Sequence, residues 1–190
     1  MAHAANRVAE NKGGIVVVKD GAVVAELPLE IAGIMSSRPL QEVNSLLECG
    51  ARATFFVLGN RIDGFTDLVQ REHDEGHAVA SHNYTHGDVS KMSASSVRSQ
   101  KTRYDEVCYP VLGISARYAR VPYGLCNDYI KKDGGMPLIQ WSIDTYDWRK
   151  ERSNATILKN VKKQFTDGDI VLMHDIKDRT PKLAKAKKGG

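Results

Sequence analysis

Residues 78–86 read AVASHNYTH, a short apolar strand that runs into a polar cluster with two histidines. His82 and His86 are four residues apart, so on a helical turn they share one face. Three more predicted strands end in polar clusters, which read RVPYG (120–124), DTYDW (144–148) and HD (174–175). In a parallel α/β barrel the carboxyl ends of all strands meet at one face, where catalysis takes place. We therefore expect four clusters that are distant in sequence to converge on one site.

Strands and helices alternate after residue 50. Apolar strands are predicted at 53–58, 78–80, 117–121, 138–143 and 169–173, and helices at 62–75, 93–112, 128–132 and 154–165. This alternation is typical of an α/β fold with a parallel sheet. The N-terminal part differs, because β-branched runs at 15–18 and 23–27 flank an Asp-Gly turn and predict a hairpin. Residues 28–38 look like a loop, and residues 40–48 have helical spacing.

The residue types suit metal-assisted hydrolysis of an amide. Two imidazoles and a carboxylate make a catalytic zinc site with an open position for water, whose pKa zinc lowers to about 7. His174 is a candidate general acid for a leaving amine, and Asp144 or Asp147 is placed to hold its other ring nitrogen. Arg120 suits bidentate orientation of a carboxylate. The backbone at Tyr123 is a candidate oxyanion donor, since Gly124 lets the main chain approach closely.

Each motif taken singly has a common structural explanation. A lone HxxxH pair occurs in cores and on surfaces, and an Arg-x-Pro-Tyr-Gly stretch is usually a strand end with a turn. His73 and His77 are also four apart, but they flank acids at a helix end, and we expect them to be solvated. The prediction of a site therefore depends on all four clusters lying at strand ends.

The composition indicates a single-domain protein but does not determine its cellular compartment. The chain has 190 residues and a net charge of +4, which fits one domain and gives no reason to expect a nucleic-acid partner. Three isolated cysteines form no disulfide framework. No apolar run reaches the roughly 20 residues of a membrane helix, and no signal-peptide core is visible, so we expect a cytoplasmic chain without a membrane partner. The lysine-rich residues 177–190 are expected to be a disordered tail.

At these clusters the chain resembles the polysaccharide deacetylase family, also called the NodB homology domain, over about residues 46–176. Four motifs of that family match residues named above: its metal-binding histidines at His82 and His86, its Arg-x-Pro-Tyr motif at Arg120 to Tyr123, its Asp-x-x-Asp-Trp motif at Asp144 to Trp148, and its last motif at Leu172 and His174. The resemblance implies an α/β fold, a distorted and here incomplete (β/α) barrel. It also implies a divalent metal, zinc or cobalt, and a polysaccharide substrate that Tyr123, Trp148 and Leu172 would contact.

The resemblance fails at the front of the chain. The family begins with a strand ending Thr-Phe-Asp-Asp-Gly, whose first Asp is the catalytic base and whose second is the third metal ligand. The nearest match is Val17-Val18-Lys19-Asp20-Gly21. If that strand takes the first barrel position, Asp20 is the third ligand and Lys19 stands in place of the base.

Residues of about 4–45 resemble a different family, the C-terminal region of bacterial adenine deaminases. The metal-binding core of those enzymes is absent, so the resemblance does not imply adenine deamination. We divide the chain into a foreign hairpin-helix segment (1–48) that replaces the first barrel unit, a deacetylase-like domain (49–176) and the basic tail (177–190). This division is that of a chimera, natural or engineered.

The sequence therefore predicts a metal-dependent hydrolase that removes acetyl groups from an N- or O-acetylated polysaccharide such as chitin or peptidoglycan. Two alternatives stay open because the family's base is missing. One is a glycan- or metal-binding barrel without turnover. The other is a chimeric scaffold without a selected function. The sequence does not determine the oligomeric state or the identity of the glycan.

Overall fold

A computed structural model describes residues 8–11, 14–19, 22–27, 29–32, 43–44, 52–133, 135–166 and 168–174 of the chain. Three strands at the front form an antiparallel sheet: β1 (Val8–Asn11), β2 (Gly14–Lys19) and β3 (Ala22–Leu27). β2 lies in the centre and pairs with both neighbours. The predicted hairpin is thus confirmed, and β1 adds a strand that the sequence pattern did not reveal.

The barrel is built from parallel strands. β4 (Leu29–Ala32) pairs with β5 (Ala53–Val57), and β5 pairs with β6 (Ala78–Ser81). Single bridges at Ala119 and Leu138 continue the order beyond β6. β7 (Ile143–Asp144) then pairs with β8 (Val171–Leu172), and β8 contacts β4. The strands therefore close on themselves, as a (β/α) barrel requires.

The first barrel strand is not the one that the sequence suggested. β4 is the neighbour of β5, with Ala32 opposite Phe56, whereas β2 pairs only with β1 and β3 among the described strands. The expectation of a loop over residues 28–38 is therefore wrong for Leu29–Ala32. A four-residue strand after Pro28 is too short to show a clear period. The segment 1–48 still supplies a strand at this barrel position, but a different one.

Five α-helices are described: α1 (Gly59–Ile62), α2 (Thr66–Asp74), α3 (Ala94–Leu112), α4 (Asp128–Asp133) and α5 (Asn154–Gln164). α3 begins where the Ser93 hydroxyl accepts from the Ser96 amide at 3.2 Å, and it ends at Gly113, whose φ is +67°. Ser153 caps α5 in the same way through the Thr156 amide. Serine at the first cap and glycine at the last are the residues that satisfy orphan backbone groups best. Across the described residues, no helix has the length and apolar character needed to cross a membrane.

The core lies on both sides of the strands. Phe55 and Val57 of β5 pack outward with Ile62, Val69 and Tyr104, all nearly inaccessible to solvent. Burying each such side chain stabilises the fold by about 1.5–3 kcal/mol. Inside the barrel a smaller cluster joins β5, β6 and β8, and a third lies beneath α5. The strand ends are therefore held rigidly enough to position side chains on their loops.

His77 corrects one expectation from the sequence. It is only 5% exposed, and its Nδ1 accepts the Ala53 amide proton at 3.1 Å. The ring also contacts Phe55 edge-on. Its imidazole is thus part of the core beside β5, because the short strand that follows turns it inward. Burial lowers the pKa of His77, so it is neutral at pH 7.

Candidate active site

The described polar clusters converge where the parallel strands end. Within the described ranges, the non-glycine residues with positive φ are Asn83 (65°), Tyr123 (60°) and Tyr146 (51°). Each lies in a different loop after a barrel strand. A left-handed backbone conformation costs an L-residue roughly 1–2 kcal/mol. Residues with such strain cluster at functional sites. Strain in three separate loops at the same face marks that face as the candidate site.

His82 and His86 form the first half of the site. Their ring centroids are 5.0 Å apart, although the residues between them form a loop and not the helical turn that the sequence suggested. His82 is 6% exposed, and its Nδ1 lies 2.7 Å from the carbonyl oxygen of Arg120. A carbonyl can only accept, so Nδ1 must carry the proton and Nε2 keeps its lone pair. That tautomer is the one a metal ligand needs.

Burial determines the charge state of this pair. It lowers the pKa of His82 to about 4, against a smaller opposing effect of the bond to Arg120. The pKa of His86 is also lowered, first by burial and then by His174. Both imidazoles are therefore neutral at pH 7, as ligation requires. His174 contributes to the lowered pKa of both rings.

His174 and Asp147 form the second half. The Asp147 carboxylate is 2% exposed and accepts from the His174 amide at 2.7 Å, while its other oxygen lies 2.8 Å from Nδ1 of the same residue. The ring orientation is thus fixed at two points, and Nε2 is presented on the opposite side. This geometry is that of a histidine acid or base oriented by a carboxylate.

Of the two carboxylates that the sequence offered, Asp147 contacts the ring of His174, and the catalytic role of Asp144 stays a prediction. One Asp144 oxygen accepts the Tyr146 amide at 2.8 Å and stabilises its own turn. That turn gives Tyr146 its positive φ and redirects the chain. Thr145 completes the arrangement, since its hydroxyl donates to Leu172 O at 2.8 Å and accepts from the Asp147 amide at 3.3 Å. Sequence reasoning missed Thr145, although it lies inside the quoted cluster.

Arg120 is almost completely buried, at 1% exposed. Its guanidinium donates to the carbonyls of Ile139 and Gln140 at 3.0 and 3.1 Å and stacks over the ring of Phe56. Burial lowers the pKa of Arg120 to about 9, which leaves it charged at pH 7. These contacts tie two neighbouring strands together. Its expected role in orienting a carboxylate stays a prediction.

The three predicted substrate contacts differ in exposure. Tyr123 is 61% exposed, and its ring meets the ring of His86 edge-on at 4.7 Å. Trp148 is 44% exposed beside Tyr146. Both rings are available to a sugar. Leu172 is 4% exposed and packs inside the barrel, so its contact with substrate stays a prediction.

The donor set fits a transition metal in part. Two neutral imidazoles suit zinc or cobalt, and His82 offers the correct nitrogen. Within the described ranges, however, no cluster of three or more histidine, cysteine, aspartate or glutamate side chains could hold a metal. Asp20, the expected third ligand, lies outside the described residues. Lys19 ends β2, which pairs with β3 and not with β5 among the described strands, and its place as the base stays a prediction.

Comparisons with known proteins agree with this geometry. The polysaccharide deacetylase family model matches residues 40–135, and the adenine deaminase C-terminal domain matches residues 1–54. The peptidoglycan-N-acetylglucosamine deacetylase PgdA of Listeria monocytogenes is 39% identical over 138 residues, which are 73% of this chain and 29% of that protein. The chain thus spans less than a third of that relative.

Solved structures extend the likeness to the whole barrel. The peptidoglycan deacetylase PdaC of Bacillus subtilis superposes with a TM-score of 0.77 and 27% identity, covering 84% of this chain and 80% of that one. A mutant of a CE4 family pseudoenzyme with restored enzymatic activity gives 0.76 and 26%, covering 84% and 60%. With its paired histidines, its His174–Asp147 dyad and a matching barrel, the chain belongs to the polysaccharide deacetylase family.

Proposed function

We propose that the chain hydrolyses acetyl groups from an N-acetylated polysaccharide of the peptidoglycan or chitin type, with zinc or cobalt bound. The supporting observation is that the His174–Asp147 dyad and the neutral His82–His86 pair both follow the ends of parallel barrel strands. The named activities of PgdA and PdaC support the substrate class. The chain covers 29% of PgdA, so the substrate is proposed for this domain alone.

The residues divide the chemistry between them. His82 and His86 would hold the cation, which when bound supplies a Lewis acid and a nucleophilic water at neutral pH. The Tyr123 amide stabilises the oxyanion that develops on the acetyl oxygen. The proton that the attacking water loses passes to solvent, and His174 in its protonated form gives a proton from Nε2 to the departing sugar nitrogen, while Asp147 stabilises the imidazolium. We propose a third protein ligand from outside the described residues, and Asp20 is the sequence-based candidate.

Acetate release from N-acetylglucosamine oligomers, with added zinc or cobalt, tests the proposal. We expect His174→Gln to lower kcat by roughly 100-fold or more, the usual contribution of a general acid. His73→Gln is the matched control, because His73 is exposed on α2 and lies 3.5 Å from an aspartate of its own. No acetate from the unaltered chain, alongside an active control enzyme, would refute the proposal.

The sequence of the strand beside β5 favours a second candidate function, binding without turnover. The strand beside β5 ends Ile31-Ala32 and brings no aspartate to the site face. A barrel with two histidines could therefore bind metal or glycan without turnover. A solved relative described as a pseudoenzyme with a reactivated mutant shows that fold and activity separate in that protein.

Metal content and glycan titration distinguish these functions. Bound zinc or saturable binding of chitin oligomers, with zero acetate, would support a binding barrel. Neither metal nor glycan binding in a cooperatively folding protein would support a scaffold without selected function. Mass spectrometric metal analysis of the purified chain is the first measurement to make.

A further inference from the structure

We propose that Gln140, which belongs to no recognised motif, is a positioning residue that holds the Tyr123 main-chain amide in its reactive orientation. The inference rests on the proposed acetyl hydrolysis. It concerns how the oxyanion donor is kept in place, because the turn that presents this donor is strained and needs support from outside itself.

The turn at Tyr123 is strained and has one available donor. Tyr123 has φ 60° and ψ 2°, and Gly124 follows with φ 70°. The amides of Gly124 and Leu125 donate to Val121 O and Pro122 O at 3.1 and 3.2 Å. Among the described residues the Tyr123 amide donates to no backbone carbonyl. A rigid N–H without a backbone partner at the site face is what an oxyanion donor requires.

Gln140 supplies the external support. Its side-chain Nε2 donates to the Gly124 carbonyl at 3.0 Å. A carbonyl only accepts, so the NH₂ end of the amide must face Gly124. The next residue, Trp141, closes the turn from the side, since a Cβ at position 124 would lie 2.8 Å from its Cη2. The turn is therefore held by a hydrogen bond and by a ring.

The support is itself fixed from inside the barrel. The buried Arg120 guanidinium donates to the main chain at Ile139 and Gln140, and its Cζ lies 5.6 Å from the centroid of the Trp141 ring. Arg120 also lies in the same strand end as Tyr123. Moving the main chain of Gln140 would therefore break contacts with both strands. Its side chain thus extends from a fixed position.

Gln140→Leu tests the proposal in the full chain. It keeps the bulk and removes the donor, so we expect kcat to fall about tenfold with KM within twofold, because the oxyanion exists only in the transition state. Gln140→Glu should lose as much, since a carboxylate cannot donate to the carbonyl. Gln164→Leu is the control: its amide also donates to a main-chain carbonyl, that of Asn160 at 3.1 Å, on the exposed face of α5. An unchanged kcat in Gln140→Leu, even with a lower Tm, would overturn the inference.

A second readout separates this inference from the proposed function. In ¹⁵N-labelled protein the Tyr123 and Gly124 amide signals should shift in Gln140→Leu and stay in place in Gln164→Leu. If the unaltered chain releases no acetate, the proposed function fails, and these signals alone decide whether Gln140 positions the turn. Amide signals that do not move in Gln140→Leu would refute positioning whatever the activity.

Discussion

Replacing Asp147 by asparagine removes one charge and one acceptor oxygen from the dyad. The carboxylate is 2% exposed and binds His174 twice, at the amide and at Nδ1. Asparagine has one acceptor oxygen, so one of these bonds is lost and the imidazolium loses its counter-charge. A hydrogen bond to a charged group contributes about 1.5–3 kcal/mol. If the lost hydrogen bond stabilises the transition state and not the ground state, kcat falls about 10- to 160-fold.

Acetate release measured from pH 5 to 9 tests this expectation, with Asp144→Asn as the comparison. Asp144 only accepts the Tyr146 amide, and asparagine makes the same turn, so its kcat should change less than about threefold. Urea unfolding of both variants shows whether any loss comes from the fold. If Asp144→Asn lost as much activity as Asp147→Asn, the assignment of the dyad would be wrong.

Three further outcomes follow from the site. Folding lowers the pKa of His82 to about 4. The contribution of His82 to the stability of the fold is therefore complete above pH 6.5 and is lost as the pH falls toward 4. In metal-free protein, urea titration should show that His82→Gln loses about 2 kcal/mol less unfolding free energy between pH 7 and pH 5 than the unaltered chain does. Gly124→Ala should cost about 2–4 kcal/mol from left-handed strain and overlap with Trp141, whereas Gly113→Ala, with φ +67° and nothing within 4 Å, should cost only about 1–2 kcal/mol. Ala32→Asp on β4 should raise zinc content more than Lys19→Asp on β2, because β4 holds the barrel position; an equal or larger rise with Lys19→Asp would contradict that register.

The strands of the barrel were predictable where apolar runs are long and bounded. Ala53–Val57 is buried at every residue, and its sequence is apolar apart from Thr54. The short strand Leu29–Ala32 was not predictable, because four residues between prolines and glycines fit a loop equally well. Its identity as a strand depends on pairing with β5, which is a tertiary effect.

The site was predictable in its residue types and less so in its pairings. The four-residue spacing of His82 and His86 agrees with their proximity, but the residues between them form a loop with Asn83 at a φ of 65°, not the helical turn that the sequence suggested. The choice between Asp144 and Asp147 was not local: a positive φ at Tyr146 turns the chain so that the second carboxylate reaches His174. The role of Gln140 had no sequence signal, since it depends on a contact between two strand ends.

The two halves of the site differ in how they depend on the N-terminal segment. The dyad, the Tyr123 turn and the His82 tautomer are fixed by hydrogen bonds among residues 81–174, and none of these contacts involves residues 8–32. We therefore expect a change in the first barrel strand to act on metal binding more than on these hydrogen bonds. A deficit in this chain should then appear as weak metal affinity, with kcat recovering as the cation concentration rises. Acetate release that stays at zero at saturating zinc would instead show that metal occupancy is not the deficit, and would point to the family's catalytic base, for which this chain has no matching aspartate.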